Sequence, residues 1–490
     1  WSSTHSTQSA PTVPFPPGSN GGLPAGAYTG TLAMGHSRGL NMLGSVPFRM
    51  VSIALCMAAS LLPSALAQDF SPAAIEMFHG LRQQPNDLAR YVYLVKTVQA
   101  LPVADRPLAM QMFASVENEL GLYNEALRDF PLKSHVAADT AIPTAAQWKA
   151  ADATDVIMQQ AADRRIVLIN EAHHDAHTRQ LTLALLPRLR ALGFDYFAAE
   201  ALLNKDARLM NRGYPIGTSG SEYLHEPSYG EIVRTAIKLG FKVVSYDVDS
   251  GTTQERETGQ ARNLYRKVFA KDPDARLFVH AGYAHIDKAK GRLGSTVPMA
   301  MQLQQLTGIA PLSIDQTQFR EQVPSESDAY SELVKNFPSE GPFVLVDRST
   351  GKPWSAHPDR YDVNVLLPPA AGQGAVESGY TQPSTIVHDM VRKQSMLAHF
   401  VNTQRPEWLT LNDERFPYTI STTLCRVTTP CVVDAHYVDE DEDAIAADRY
   451  AFMQGDTVSK LYLRPGRYRL RAWDIRGRTL SQQVITIRER

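Results

Sequence analysis

The stretch IVLINEAHHDAH, residues 166–177, decides the fold because it joins a short apolar run directly to a cluster of ionisable side chains. The run at 166–170 has the length and the aliphatic content that are typical of a buried β-strand. Comparable runs predict further strands at 196–199, 242–246, 276–280, 343–346 and 363–367. The longer stretches between the strands have the spacing of amphipathic helices. This alternation predicts an α/β fold with a mostly parallel central sheet and flanking helices.

Two smaller segments flank the α/β domain. Apolar residues recur every three or four positions over 71–130 and predict a small helical domain, in which LGLYNEAL at 120–127 resembles one half of a tetratricopeptide repeat. Near the end of the chain, YRLRA at 468–472 alternates as in a half-buried antiparallel sheet. The predicted order is a disordered or untranslated stretch at 1–33, a signal peptide at 34–67, a helical domain with tetratricopeptide-like hairpins at 68–150, the α/β domain at 151–412 and an antiparallel β-sandwich-like module at 413–490.

The segment 34–67 has the three parts of a signal peptide. Arg38 and Arg49 form a basic flank, 51–62 is an apolar core, and Ala65-Leu66-Ala67 is a small-x-small cleavage site. The apolar core is too short to span a bilayer. The sequence therefore predicts a periplasmic or secreted protein that begins near Gln68 and has no stable membrane anchor after cleavage.

The two cysteines that follow the predicted cleavage site are close together in the chain. Cys425 and Cys431 lie in the strand-rich C-terminal module. Because an exported protein reaches an oxidising compartment, this proximity predicts a local disulfide, and two free thiols are the alternative.

The charge balance narrows the range of partners. The chain has 51 acidic and 49 basic side chains, for a formal net charge of -2. No excess of positive charge draws it toward nucleic acid or anionic lipid, so nucleic acid is not expected as a partner. The expected partners are a small-molecule or peptide substrate and, through the helical or β module, another protein.

Three helix starts are predicted within the α/β domain. Asp175 precedes a leucine-rich helix that Gly193 ends. Ser228 and Thr252 are each followed by a glutamate three residues later, which predicts two capping boxes.

Ionisable side chains follow each of the first four predicted strands. They are Glu171, His173, His174 and His177 after the first, Glu200 after the second, Asp247 and Asp249 after the third, and His280, Tyr283 and His285 after the fourth. In an open parallel sheet, ligands bind outside the carboxyl ends of the strands, so these residues are predicted to converge there as exposed polar groups. Carboxylates and imidazoles are general acids and bases and are also metal ligands.

Residues 166–315 resemble the superfamily of erythromycin esterase, ChaN and TraB/Tiki proteins. The resemblance lies in Glu171 with His173 or His174, in Glu200, in Gly282-Tyr283-Ala284-His285, and in Arg256-Glu257-x-x-x-Ala261-x-Asn263 as the nearest match to an Arg-Asp-x-x-Met-Ala-x-Asn helix. Asn170 stands where the family usually has glycine. The resemblance implies hydrolysis of an ester or lactone in one branch, metal-dependent peptide cleavage in another, and haem or iron binding in a third.

The leading hypothesis is an exported hydrolase. His174 or His173 would activate water together with Glu171, and Glu200 would orient the base or share its proton. Arg256 and His285 would stabilise the developing oxyanion. If a divalent metal assists, its ligands would be drawn from Glu171, His173, His174, Glu200 and His285, with one position open for water.

Two other classes stay open at this point. The first is a periplasmic protein of ChaN type that binds haem or iron, with Tyr283 and the histidines from His173 to His177 as candidate ligands. The chain has no Cys-x-x-Cys-His attachment motif, so such a haem would be non-covalent. The second is a non-catalytic interaction protein with a degenerate core. The sequence specifies neither the substrate nor whether a metal takes part.

Overall fold

The computed structural model describes residues 71–132, 136, 140–248, 251–322, 329–370, 405–426 and 428–489. The predicted signal peptide at 34–67 and the stretch before it lie outside the described residues, as does Asp249. Within the described ranges, no helix is long and apolar enough to cross a membrane.

The first described segment is helical. It contains α1 (Pro72–Arg82), α2 (Asp87–Thr97), α3 (Arg106–Glu119) and α4 (Tyr123–Asp129). Ser71 caps α1 by accepting a hydrogen bond from the backbone N–H of Ala74 at 3.1 Å. Asn86 caps α2 in the same way, with the N–H of Ala89 at 2.9 Å. Each cap satisfies an amide that has no partner within its own helix, which fixes where the helix begins.

The centre of the molecule is an eight-stranded, mostly parallel sheet, as the sequence predicts. Its strands are β1 (Trp148–Asp152), β2 (Ile166–Glu171), β3 (Tyr196–Ala199), β4 (Lys242–Ser245), β5 (Leu277–Gly282), β6 (Leu312–Asp315), β7 (Phe343–Asp347) and β8 (Val363–Leu366). They lie in the order β1-β7-β8-β6-β2-β5-β3-β4. From β8 to β4 all neighbours are parallel, and β7 is antiparallel to both β1 and β8. Strands β1 and β6 were not predicted from the sequence.

Helices cover both faces of the sheet. They are α5 (Ala153–Ala161), α6 (His177–Ala191), α7 (Leu209–Arg212), α8 (Pro227–Lys238), α9 (Thr253–Leu264), α10 (Met299–Thr307) and α11 (Ala329–Asn336). Val167 and Ile169 of β2 belong to a core shared with α5, α6 and α8. Ile166 and Leu168 belong to a second core, shared with α9 and α10. Successive side chains of a strand point to opposite faces, so an all-aliphatic strand fits a sheet that is buried on both sides.

The helix starts agree with the sequence in one case and not in another. Thr252 and Glu255 form the predicted capping box at α9, where the N–H of Glu255 donates to Thr252 Oγ1 at 3.3 Å. The box predicted at Ser228 is wrong, because α8 begins at Pro227 and Glu226 is its cap. The Glu226 carboxylate accepts the N–H of Ser228 at 2.9 Å and that of Tyr229 at 3.0 Å.

The C-terminal module is antiparallel. Strands β10 (Cys431–Tyr437), β11 (Asp448–Phe452), β13 (Gly466–Asp474) and β14 (Thr479–Ile487) form one sheet, and β9 (Phe416–Ser421) pairs with β12 (Val458–Leu463) in another. Tyr468, Leu470 and Ala472 are buried, as their alternation predicts. The disulfide between Cys425 and Cys431 is confirmed, with the two Cα atoms 6.1 Å apart.

The helical segment and the β module share one hydrophobic core. Leu88 of α2 and Phe113 of α3 belong to the same buried cluster as Val432 of β10 and Leu470 of β13. Fully burying an aliphatic or aromatic side chain contributes about 1.5 to 3 kcal/mol, so a contact set of this size holds the two segments together.

Candidate functional site

Three neighbouring strands bring the predicted site residues to one edge of the sheet. Strand β5 lies between β2 and β3, and Gly282 at its end is in register with Glu171 at the end of β2. Glu200 directly follows β3, and its backbone N–H donates to the carbonyl of His280 on β5 at 3.1 Å. The carboxyl ends of the strands therefore meet where an open parallel sheet places its ligand site.

The Glu171 cluster consists of Glu171, His173, Arg179 and His280. Glu171 Oε1 lies 2.8 Å from His173 Nδ1. Glu171 Oε2 accepts from Arg179 Nε at 2.6 Å and lies 3.1 Å from His280 Nε2. Burial opposes the charge, but Arg179 and His280 outweigh it and hold the pKa of the Glu171 carboxyl well below its usual value. Glu171 is therefore an anion at neutral pH.

A buried chain of contacts holds Arg179 in place beneath the site. Arg179, with 0 % of its surface exposed, donates from Nη1 to Glu226 at 2.8 Å. Glu226 in turn accepts from the Tyr123 hydroxyl at 2.8 Å. Thr182 Oγ1 lies 3.0 Å from His280 Nδ1. The partners of Glu171 are thus fixed from behind, which keeps its carboxylate in one orientation.

The Glu200 cluster consists of Glu200, Asp247, Arg256, Glu257 and His285. Glu200 Oε1 accepts from Arg256 Nη2 at 2.5 Å and lies 3.3 Å from His285 Nε2. Its other oxygen accepts the backbone N–H of Gly282. Although burial opposes the charge, His285 and Arg256 hold the pKa of Glu200 well below its usual value.

The two cations of this cluster are each held by a second carboxylate. Asp247 accepts from Nε and Nη2 of Arg256, both at 2.9 Å, in a two-pronged pair. Glu257 Oε1 lies 2.5 Å from His285 Nδ1. Burial alone would discharge His285, but Glu257 and Glu200 raise its pKa to about 10. The site therefore presents an imidazolium beside a guanidinium at neutral pH, with Arg256 Nη1 3.4 Å from His285 Nε2.

His173 lies between the two clusters. A Cβ atom built on Gly282 would fall 2.6 Å from His173 Nε2 and 3.1 Å from Glu200 Oε2, so only glycine fits at that position. The His173 ring also stacks on Tyr223, with the centroids 4.0 Å apart. One nitrogen of His173 thus faces Glu171, and the other lies against Gly282 near Glu200.

The site residues are less exposed than the sequence predicts. Glu171 is 1 % exposed and His285 2 %, whereas His173 retains 7 % and Arg256 8 %. The prediction of exposed strand-end groups is therefore wrong, because loops and helices that follow the strands cover this edge. Asp247, at the edge of the Glu200 cluster, is more exposed than these residues and is half-buried.

His174, Tyr283 and His177 have other surroundings. His174 Nδ1 lies 3.1 Å from the Tyr283 hydroxyl, and its ring stacks on Phe130 with centroids 3.4 Å apart. Burial and the nearby cation Arg320 lower the pKa of His174 well below its usual value. His177 stacks on a tryptophan of the C-terminal segment, and burial lowers its pKa to about 3. Of the two adjacent histidines, only His173 contacts Glu171.

Tyr283 adopts a backbone conformation that side chains other than glycine rarely take. Its φ is 40°, in the left-handed region. Asn170 Nδ2 donates to the Tyr283 carbonyl at 2.8 Å and to Asp315 at 2.7 Å, while Asn170 Oδ1 accepts the N–H of Gln316 at 2.7 Å. Asn170 thus ties the ends of β2 and β6 to the turn that carries Tyr283.

The predicted metal ligands form a poor cation site. Glu171 and Glu200 already hold Arg179 and Arg256, which stay charged at any ordinary pH. Both ring nitrogens of His285 already face carboxylates, Nδ1 facing Glu257 at 2.5 Å and Nε2 facing Glu200 at 3.3 Å. The donor set therefore suits carboxylate–arginine pairing better than a metal ion.

Among the described residues, one group of three side chains has the spacing of a metal site, and none of its members was predicted. Its donor atoms belong to Asp87, Glu119 and His225 and lie within 4.8 Å of one another. Arg90 contacts Glu119 at 2.7 Å, and Arg449 contacts Asp87 at 2.9 Å. Two guanidinium groups already balance the two carboxylates, so this group is an ion-pair network between α2, α3 and the C-terminal module.

Among the haem ligands predicted from the sequence, Tyr283 lies close to His173 and His174, whereas His177 lies apart from them. Tyr283 shares its hydroxyl with His174, and burial raises the pKa of that hydroxyl, which disfavours the tyrosinate form that ligates iron. His177 instead lies against the C-terminal segment.

Several residues that complete the site could not be found in the sequence. Arg179 and Glu226 are 47 positions apart, and neither belongs to a recognisable motif. Glu257 was visible as part of the helix match, but its contact with His285 depends on how α9 packs against the turn after β5. The one usable signal is Glu226-Pro227, since a polar residue before proline is typical of a helix start.

Comparisons with known proteins show only weak similarity in structure. The sequence matches neither the models of known protein families nor the curated proteins. One similar solved structure, of bacterial protein toxins, is 20% identical over 33% of this chain and 36% of that chain, with a TM-score of 0.25. The type III effector HopBA1 is 15% identical over 40% of this chain and 95% of its own, with a TM-score of 0.25. RRSP, a MARTX toxin effector domain from Vibrio vulnificus CMCP6, is 16% identical over 49% and 55%, also at 0.25. Likeness at this level carries no statement about function.

Proposed function

We propose that this protein is a hydrolase of the erythromycin esterase and ChaN type, in which Glu171 and His173 activate a water molecule. The observation that carries the proposal is the 2.8 Å contact between Glu171 Oε1 and His173 Nδ1, in which the carboxylate is a buried anion fixed by Arg179. A base that is oriented by a carboxylate is the usual arrangement for removing a proton from water or from a hydroxyl group.

His173 acts as the general base in this proposal. Because Glu171 is ionised and only accepts hydrogen bonds, the proton of the neutral imidazole lies on Nδ1, which leaves Nε2 free to accept a proton. Nε2 takes one proton from water as the water oxygen attacks the acyl carbon of the substrate. Glu171 remains ionised throughout and stabilises the imidazolium that forms.

Arg256 and His285 supply the electrophilic side of the reaction. Both are cations at neutral pH, and both contact Glu200, whose carboxylate fixes their position beside the end of β5. Fixed donors that face the developing oxyanion stabilise it without reorganising during the reaction. When the tetrahedral intermediate collapses, the proton held on His173 Nε2 passes to the leaving oxygen, so the base returns to its neutral form.

The substrate class that fits this chemistry is an ester or a lactone. Hydrolysis of a carboxylic ester puts negative charge on the carbonyl oxygen and releases an alkoxide. In this site, Arg256 and His285 can stabilise the charged oxygen, and His173 can give its proton to the alkoxide. Peptide cleavage needs stronger activation of the leaving amine, for which the family relies on a metal, and the donor set of this site fits a metal poorly.

The test is a screen of aliphatic esters and lactones with purified mature protein, run with and without prior treatment with a chelator. The proposal expects turnover that persists in the chelated sample and is absent from a Glu200→Gln variant that remains folded. Metal content is measured on the same samples, and haem is titrated in while the Soret band is followed. Turnover that requires Zn, Mn or Co would replace the mechanism above with a metal-assisted one, and a Soret band with no turnover would favour haem binding.

We also propose that the protein is exported. The support is the order of basic flank, apolar core and small-x-small site over 34–67. The disulfide between Cys425 and Cys431 is in keeping with an oxidising compartment. N-terminal sequencing of the protein from its native source should begin at or near Gln68, and a chain that retains Met50 would contradict the proposal.

A further inference from the structure

Asn118, on the helical segment, contacts the loop that carries His173. Its side chain is 1 % exposed and lies in the last turn of α3. Asn118 Nδ2 donates to the backbone carbonyl of His173 at 3.1 Å, and Asn118 Oδ1 accepts the backbone N–H of Ala176 at 3.2 Å. A single planar amide thus satisfies one acceptor and one donor of the loop, as a neighbouring strand would.

We propose that Asn118 is a positioning residue, which fixes the backbone of His173 so that the imidazole reaches both Glu171 and the face of Gly282. This inference rests on the proposed function, because it assigns Asn118 to the same site. It adds a residue from outside the α/β domain, on a helix that the family motifs do not cover.

The position of the His173 ring depends on its backbone. The ring is already restricted on three sides, by Glu171 at Nδ1, by Tyr223 on its face and by Gly282 at its far edge. A shift of the Cα atom therefore cannot be absorbed by rotating the side chain without losing one of these contacts. A misplacement of about 1 Å in a catalytic group can reduce a rate roughly 100-fold.

The loop does not depend on Asn118 for its overall shape. The N–H of Asp175 donates to the carbonyl of Ala172 at 2.8 Å, and the N–H of Ala172 donates to Thr178 Oγ1 at 3.2 Å. These bonds close the turn from within the α/β domain. Removing the Asn118 amide is therefore expected to loosen the His173 backbone while the turn persists.

The helical segment also contacts residues at or beside the site at two further points, so Asn118 is one of several contacts between the segment and this region. The Tyr123 hydroxyl donates to Glu226, the second partner of Arg179, at 2.8 Å. The Phe130 ring stacks on His174. Asn118 is the member of this set that contacts the backbone of the base itself.

The experiment compares Asn118→Ala, Asn118→Asp and the control Ser115→Ala in the full mature protein. Ser115 is buried one turn earlier on α3 and donates only to the carbonyl of Gln111 in its own helix, at 3.1 Å. Three quantities are measured: kcat and KM on the ester or lactone found by the screen, the thermal midpoint, and hydrogen exchange at the backbone amide of Ala176.

For Asn118→Ala, kcat is expected to fall about 100-fold with KM changed less than about threefold, and Ala176 should exchange roughly five to ten times faster. Asn118→Asp keeps an acceptor for Ala176 but, when ionised, has no donor for His173. Its Ala176 amide should therefore stay protected while kcat still falls. Ser115→Ala should match the parent protein in kcat and in exchange.

The inference is overturned if folded Asn118→Ala or Asn118→Asp keeps the kcat of Ser115→Ala, or if Ala176 stays protected in Asn118→Ala. Should Asn118→Ala fail to fold, the kcat of Asn118→Asp decides. Hydrogen exchange needs no substrate, so it separates the two proposals. If the parent protein hydrolysed no ester or lactone but Ala176 lost protection in Asn118→Ala, the hydrolase would be refuted and the Asn118 contact would be established.

Discussion

Replacing His173 with asparagine removes the proposed base and keeps its contact with Glu171. The asparagine amide nitrogen reaches about as far from the backbone as His173 Nδ1, so it can donate to Glu171 Oε1 across the 2.8 Å contact. Nothing then replaces Nε2 at the face of Gly282. General-base catalysis contributes about 10²- to 10⁴-fold, so kcat should fall by that factor, or by about 3 to 5 kcal/mol in activation free energy.

The matched control is the same substitution one residue later. His174→Asn keeps a polar group near the Tyr283 hydroxyl and loses a ring that stacks on Phe130. Loss of the stacking should cost about 0.5 to 1.5 kcal/mol of unfolding free energy, with kcat changed less than about tenfold. Initial rates and urea unfolding curves measure both variants. If folded His173→Asn kept the parent kcat, or if His174→Asn lost as much activity as His173→Asn, His173 would not be the base.

His173 is a better probe than Glu171 because Glu171 is buried against Arg179. Glu171→Gln would leave that guanidinium with only Glu226 as an anionic partner. Removing one member of a buried ion pair costs about 3 to 5 kcal/mol, and the second carboxylate should reduce this to about 2 to 4 kcal/mol. Activity lost in Glu171→Gln would thus mix catalysis with stability, whereas His173→Asn separates them.

Three further predictions concern Arg256, His285 and Asn170. Arg256→Lys should lower kcat/KM about 10²- to 10³-fold in initial-rate assays, because lysine lacks the planar guanidinium group with which Arg256 contacts Asp247 and Glu200 at once. An unchanged rate would contradict the proposed role of Arg256. Glu257 and Glu200 raise the pKa of His285 to about 10, so its contribution to stability is fully present below about pH 6.5 and is lost as the pH rises toward 10. Urea unfolding at several pH values should show this fall of the unfolding free energy with pH in the parent and a smaller fall in His285→Gln. An equal fall in both proteins would count against the ion pairs. Asn170→Ala should reduce the unfolding free energy by about 2 to 4 kcal/mol, because the buried N–H of Gln316 loses its acceptor while the Tyr283 carbonyl and Asp315 each lose a donor. A loss below about 0.5 kcal/mol would contradict the tie between β2, β6 and the turn after β5.

The strands that could be predicted are the ones that contain an apolar run in the sequence. Strand β2 begins with an unbroken aliphatic run and is buried along its whole length, and it was found to within one residue. Strand β1 has the opposite character: it lies at the edge of the sheet, and its residues are exposed or half-buried without an apolar run. Strand β6 is only four residues long, LSID, with a serine in its interior. Neither pattern separates a strand from a loop.

The sequence predicts which residues lie at the strand ends of the candidate site, but it does not predict which of their side chains contact one another. The position of Glu171, Glu200 and His285 follows from the rule that parallel strands end at one edge. The choice between His173 and His174 does not follow, because the two histidines are adjacent in the sequence and only the conformation of the loop places His173 against Glu171. The contact of Asn118 with His173 could not be predicted from the sequence, because the two residues are separated by 55 positions in the chain.

The burial of the site also could not be predicted. Strand-end residues are exposed in a bare sheet, and the cover here comes from α3, α4 and the loop that contains Tyr223, which are distant in sequence from β2. This cover has a physical consequence, since charges that are removed from water interact more strongly with one another and with a bound substrate.

The most direct test of the central claim is hydrolysis in ¹⁸O-labelled water by the chelator-treated parent protein and by His173→Asn. If Glu171 and His173 activate water, the parent should release a carboxylic acid that carries one ¹⁸O atom from the solvent, at a rate about 10²- to 10⁴-fold above that of the variant. Product without label, or labelled product formed equally fast by folded His173→Asn, would contradict the account.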